Sequence, residues 1–170
     1  MRTLEIEFTA EIKGIEFTHT FEFTDAETEQ DVKEAIAEAY NEEQEEDENG
    51  NKPEDVTADD VEITGNDCTE PEINTNFDLY TYAEYYCNSD YQEIEVLKAA
   101  YACDVQPAYV DETYSGEFRD DADFAEETAH QLGLTDNQQQ WPLNCIDWDQ
   151  AAKELMYDYC EDNGHYFRNR

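Results

Sequence analysis

Apolar and polar residues alternate with a period of two from Thr3 to Phe23. Leu4, Ile6, Phe8, Ala10 and Ile12 share one face; after Lys13-Gly14 the series resumes with Ile15, Phe17, His19, Phe21 and Phe23. This pattern predicts a β-hairpin with one apolar face. Thr24-Asp25 is expected to cap a helix whose inner face carries Val32, Ala35, Ile36, Ala39 and Tyr40, while Glu34, Glu38 and Glu42 stack at i, i+4 on the outside. The polar run from Asn41 to Asn51, followed by Pro53, reads as a helix end and a loop. Val61-Glu62-Ile63 is then expected to rejoin the sheet. Residues 1–66 are thus predicted to form a small ββαβ domain, and the Asn, Thr and Pro residues of 67–76 a linker.

Residues 77–170 carry mostly helical spacing. Leu79, Tyr82, Ala83 and Tyr86 mark one helix, Ile94, Leu97 and Tyr101 a longer one, and Pro107 suits the first turn of another. Asp120 or Asp121 is expected to open a helix with Phe124, Ala125, Thr128 and Leu132 inward and Gly133 as its stop. Asp147 opens the last, with Ala151, Ala152, Leu155 and Met156 inward. His165 to Arg168 reads as a short terminal strand. The predicted class is α+β: an N-terminal ββαβ domain, then a mainly helical acidic domain ending in a strand.

Charge changes this picture from an ordinary small protein to an unusual one. The 170 residues include 46 Asp and Glu against 9 Lys and Arg, a formal net charge of -37. Such an excess usually accompanies disorder. Here 12 Tyr, 8 Phe and 2 Trp supply enough large buriable groups for a core, so folded domains with an anionic surface are expected. No apolar run approaches the roughly 18 residues of a membrane span, and the acidic start carries no signal-like core, so a cytoplasmic protein is expected. The five cysteines, Cys68, Cys87, Cys103, Cys145 and Cys160, form no CxxC pair, and free thiols are expected.

Candidate chemistry is sparse. Asp47, Asn49 and Asn51 imitate the start of a calcium loop, but Lys52 stands where the turn needs Gly and Ala58 where a bidentate Glu belongs. His19, His130 and His165 are scattered, there is no Gly-rich phosphate loop, HExxH or nucleophile elbow, and dozens of carboxylates single out no acid/base pair. No enzyme activity, metal or cofactor is expected.

One constellation is more specific. Tyr114-Ser115-Gly116-Glu117-Phe118, Asp123-Phe124-Ala125-Glu126-Glu127, Ile146-Asp147-Trp148-Asp149, Ala152-Lys153-Glu154-Leu155, Asp158-Tyr159 and Gly164-His165-Tyr166-Phe167-Arg168 follow in order. Together they resemble the C-terminal region of ArdA antirestriction proteins, well over residues 109–170, more loosely from 77, and not over 1–66. Trp148-Asp149 stands where the family more typically has a Tyr-Glu pair, and Phe118, Phe124, Trp148 and Leu155 are expected to be core positions. The resemblance implies an elongated acidic protein, with a homodimer one way to spread its charge, that mimics bent DNA and blocks type I restriction-modification enzymes; an anion of this kind is itself expected to bind neither nucleic acid nor membrane.

The physical case agrees with that implication. Duplex DNA carries one charge per about 1.7 Å of axis, so 37 net charges correspond to about 63 Å of duplex, longer than the roughly 40 Å diameter of a compact chain of this length. The expected mimic surface comprises Glu34, Glu38, Glu42 and Glu45 in the first domain. In the second it comprises Asp111, Glu112, Glu117, Asp120, Asp121, Asp123, Glu126, Glu127, Asp158 and Glu161. Alternatives share the electrostatics: a mimic aimed at a CRISPR effector, nucleoid or repair protein, a halophile's protein, or an acidic chaperone for basic partners.

Overall fold

The computed structural model describes residues 2–46, 51–70, 73–135, 141 and 143–170. Among them are six α-helices and two three-stranded antiparallel sheets, a mixed α and β architecture. The chain divides into two compact units, Met1–Asn88 and Ser89–Arg170. Asp47 to Gly50, the start of the loop compared with a calcium site, lie outside the described residues.

In the first unit β1 (Leu4–Ile12) and β2 (Ile15–Phe23) pair in unbroken register from Leu4↔Phe23 to Ile12↔Ile15. Lys13 and Gly14 form the turn, with φ of 52° and 82°. Positive φ at both central residues gives the turn whose twist matches the flanking strands. The alternation is realised fully on β1, where Ile6, Phe8, Ala10 and Ile12 are buried, but only partly on β2. Phe17, His19 and Phe21 are half-buried and Ile15 is exposed, because β2 is an edge in the order β2-β1-β3 and is covered from one side. β3 (Val61–Asn66) pairs with the other edge of β1, Ile12↔Val61 and Ala10↔Ile63, as the sequence led one to expect.

Helix α1 (Glu29–Glu43) packs Val32, Ile36, Ala37 and Tyr40 onto this sheet, with Tyr40 edge to face against Phe17 at 5.4 Å. It begins four residues beyond Thr24-Asp25. The backbone N–H and hydroxyl of Thr24 donate to Glu27 in a separate turn, so the helix waits for Thr28, whose side chain accepts from the Asp31 N–H while Asp31 accepts from the Thr28 N–H. Helix α2 (Leu79–Asn88) belongs to this unit and not to the second: Tyr80 lies 6.2 Å from Phe23, and the Cys87 thiol donates to the Phe23 carbonyl. The expected linker is also tied down at its start, where Asp67 extends the edge of β1 through paired hydrogen bonds with the Glu7 backbone.

The second unit holds α3 (Ile94–Ala102), a 3-10 turn begun by Pro107, α4 (Val110–Thr113), β4 (Tyr114–Glu117), α5 (Asp121–Gln131), α6 (Trp148–Leu155), β5 (Tyr159–Asp162) and β6 (His165–Arg168). Three strands, in the order β4-β6-β5, replace the single terminal strand expected. Asn163-Gly164, with φ of 50° and 85°, is the turn between β5 and β6. Phe124 stacks on Tyr166 at 4.3 Å and meets Phe118 and Tyr159, and Phe124, Tyr166 and Phe167 are buried in this unit's core; Phe118, Trp148 and Leu155, expected as core positions, are half-buried at its margin. Asp120 caps α5 and Gly133, at φ 70°, ends it as expected; Leu132, expected inward, is 69% exposed.

The cysteine expectation is overturned at one pair. Cys103, at the end of α3, and Cys160, on β5, form a disulfide with Cα atoms 5.7 Å apart, and Cys68, Cys87 and Cys145 are free. Their separation of 57 residues leaves no spacing signal, and only the packing of α3 against β5 brings them together.

Candidate functional site

Acidic residues dominate both units. Of the 46 acids, 27 lie in Met1–Asn88 with four of the basic residues, and 19 lie in Ser89–Arg170 with the other five. The charge is therefore denser in the first unit.

On α1, Glu34, Glu38 and Glu42 are exposed on the side opposite Val32, Ile36 and Tyr40, and Glu45 is exposed just beyond the helix end. Successive turns place such carboxylates about 6 Å apart along the axis. Asn41 fixes the neighbouring chain: its amide donates to the Val56 carbonyl and its oxygen accepts from the Val56 N–H, both at 2.8 Å. That clamp brings Asp59 to the edge of a groove also lined by Glu34 and Glu38.

The outer face of the first sheet adds a second acidic array that the sequence reading did not single out. Glu16, Glu11 and Glu62 stand directly opposite one another across β2, β1 and β3, and Glu22 stands opposite Glu5. All five are exposed. Adjacent strands lie about 4.8 Å apart, so Glu16, Glu11 and Glu62 form a row crossing the strands. Like charges placed directly opposite destabilise a sheet. The alternation alone indicated these residues face solvent; the register that aligns them is a tertiary fact.

In the second unit the expected surface residues divide by what they already bind. Asp120 accepts from the Asp123 N–H and from Arg119, and Asp123 accepts from the Arg119 N–H. Asp121 accepts the Tyr166 hydroxyl at 2.7 Å, Glu161 accepts the Gly164 N–H in the β5–β6 turn, and Asp111 accepts from Ser89 and Asp90. Glu112 is paired with Arg170, and Glu127 accepts from Gln131. These seven hold local structure as well as charge. Glu117 and Asp158 are exposed and Glu126 is half-buried.

The pKa shifts follow the same division. Asp31 is held below the ordinary carboxylate range by the Thr28 hydroxyl and N–H, Asp60 by the Thr57 N–H and hydroxyl, and Asp120 by Arg119 and the Asp123 N–H. At Glu27 burial pushes upward but the Thr24 and Asp25 hydrogen bonds outweigh it. Glu84 is raised, by burial first and then by Asp25. A neighbouring acid thus raises a carboxylate at Glu84, second to burial, whereas hydrogen bonds lower the acids at the capping positions.

Among the described residues no group of three or more His, Cys, Asp or Glu side chains is gathered to hold a metal ion, and no helix is long and apolar enough to cross a membrane. No family model, curated protein or solved structure matches the chain.

Proposed function

We propose that the protein is a DNA mimic whose acidic surfaces occupy the DNA-binding groove of a type I restriction-modification enzyme. The observation that carries the mimic is the set of like-charged residues held in rows against stability: Glu16-Glu11-Glu62 across the sheet and Glu34-Glu38-Glu42 along α1. Phosphates on one strand rise about 3.4 Å each, so rows at about 5 to 6 Å supply roughly every second charge and several rows must act together. An elongated monomer or a homodimer spreads them over a duplex-length footprint. The choice of a type I enzyme rests on the resemblance of residues 109–170 to the C-terminal region of ArdA proteins. A mimic directed at another DNA-binding protein shares the electrostatic argument.

The test is competition. Added before DNA, the purified protein should block duplex binding by a type I enzyme while giving no mobility shift of DNA itself, and a large excess of duplex should relieve the block. Inhibition unchanged by excess DNA on a saturated enzyme would overturn the competitive mechanism. Inhibition of a different DNA-binding enzyme and not of a type I enzyme would move the target but keep the mimic.

A further inference from the structure

Helix α3 ends in a tight reversal. The Cys103 N–H donates to the Ala99 carbonyl, the Val105 N–H to the Ala100 carbonyl, and Asp104 between them takes a φ of 56°. This reversal sets Cys103 in the wall of a cavity of about 430 Å³ within the second unit. Its disulfide partner, Cys160, is half-buried on β5 and is not among the residues that line the cavity. Another wall comes from the end of β6 and the residues after it. There the Asn169 N–H donates to the Asp158 carbonyl at 2.8 Å, and Arg168 and Arg170 on either side of it both line the cavity. The Arg170 guanidinium lies 3.8 Å over the Tyr109 ring and is paired with Glu112. Arg168 is exposed and makes no ion pair among the described residues. Two of the chain's nine basic residues therefore meet beside one end of its disulfide, with Asp104 the one acid in the lining.

We propose that this cavity is a thiol-exchange site, at which a small thiol carrying carboxylates opens the Cys103–Cys160 bond. Exchange needs a thiolate to reach one sulfur of the pair, and the cavity gives that access at Cys103. The incoming sulfur bonds to Cys103 Sγ as the Cys103–Cys160 bond breaks. The electron pair of that bond leaves on Cys160, which takes a proton from water. A second thiolate then attacks the added sulfur and releases Cys103 as a thiolate, so two small thiols are oxidised to their disulfide and one protein disulfide is reduced. A net charge of -37 repels such anions at long range and favours a cationic thiol. The arginines reverse that preference locally, because a guanidinium holds a carboxylate through two parallel N–H donors. The inference is independent of the DNA-mimic reading, since the exchange needs no contact between the outer acidic surface and an enzyme.

The preference for an anionic thiol against the charge of the whole molecule is what the experiment reads. The full-length oxidised protein is reduced, at constant ionic strength, by glutathione, 2-mercaptoethanol or cysteamine, which carry carboxylates, no further charge and an ammonium group respectively. Each rate is taken per thiolate and divided by the rate of the same thiol with a neutral small disulfide, which removes intrinsic reactivity. Net charge alone gives the order cysteamine, mercaptoethanol, glutathione. Glutathione is expected to outpace mercaptoethanol instead. Arg168→Gln should lower the glutathione-to-mercaptoethanol ratio about two- to fivefold, the size of one exposed ion pair. Lys153→Gln, which removes a basic residue of the same unit outside the cavity, should leave the ratio unchanged. Acid quenching and peptide mapping should find the added glutathione on Cys103. If Arg168→Gln does not fold, the order of the thiols on the parent and the mapped cysteine still decide. A parent reduced faster by mercaptoethanol than by glutathione would overturn the proposal. So would a ratio that Arg168→Gln leaves unchanged or that Lys153→Gln lowers equally, glutathione joined to Cys160, or a protein in which the two cysteines form no bond.

Discussion

Thr24 and Thr28 each precede an acid by three residues, yet only Thr28 caps a helix. Thr28→Ala should lower stability by about 1 kcal/mol, because the N-cap oxygen that meets an otherwise unpaired helix N–H is lost. Thr24→Ala, which leaves α1 intact, should cost less; urea denaturation showing the reverse order would place the helix start at Thr24. The same caps set the acid side of the stability profile. Asp31, Asp60, Asp120 and Glu27 have folded pKa values below the ordinary range, so the stability they contribute is present above their unfolded values, near 4, and is lost as pH falls through the folded ones. Glu84 has the opposite sign, contributing at low pH and losing that contribution as pH rises through its raised value. Between pH 7 and 5.5 the capping acids therefore contribute no slope, and melting temperature should hold or rise slightly, then fall below about pH 4. Calorimetry at constant ionic strength checks this: Asp31→Asn with Asp60→Asn should flatten the acid limb, and an unchanged limb would remove the caps as its cause.

Elements built from local pattern were the legible part of this chain. The hairpin, the inner face of α1, the return strand and the cap and stop of α5 all follow from spacing or from one capping residue, signals that lie within a few positions of each other. Asn163-Gly164 is also a readable hairpin turn, but the short strand before it, Tyr159–Asp162, has no strong alternation of its own to mark it. What could not be read were pairings fixed by packing: β4 against β6, the Glu16-Glu11-Glu62 row and the Cys103–Cys160 bond. Closing a loop of 57 residues should stabilise the second unit by about 4 kcal/mol in the chain-entropy account. Reductant should accordingly lower its melting temperature, and thiol titration of the unfolded protein should find three groups without reductant and five with it. Five without reductant would mean that the bond does not form in solution. Structural commitment also separates the acidic clusters. Replacing Asp120, Asp121, Asp123, Glu126 and Glu127 together would remove a cap and the Tyr166 partner, so lost inhibition there could simply reflect lost fold. Glu34, Glu38, Glu42 and Glu45 changed together to Gln relieve i, i+4 repulsion worth about 0.2–0.5 kcal/mol per pair. This variant should be at least as stable as the parent and inhibit less; full inhibition by the folded variant would exclude α1 from the interface.

At the scale of the whole molecule, the same charges are required to do two opposing things, and salt should pull them apart. A net charge of -37 on 170 residues repels itself, and rows of facing glutamates concentrate that repulsion. Raising ionic strength from about 0.01 M to 0.15 M shortens the Debye length from about 30 Å to about 8 Å, which is enough to screen one row from another but not neighbours within a row. Melting temperature should therefore rise over this interval and then level off, because the remaining short-range repulsion is poorly screened. A protein adapted to molar salt would instead keep gaining well beyond that range. The complex with a DNA-binding enzyme should respond in the other direction, weakening steadily with salt as the attraction between a carboxylate surface and a basic groove is screened. It should weaken less steeply than the enzyme's own complex with duplex, since condensed counterions are released from the phosphate lattice of DNA and a folded protein with charges at roughly half that density condenses fewer. Measuring both complexes across one salt series gives two slopes from one enzyme. A melting temperature that falls on adding salt would remove self-repulsion as the dominant electrostatic effect. An inhibitor complex indifferent to salt would mean that contacts other than the acidic rows hold it together.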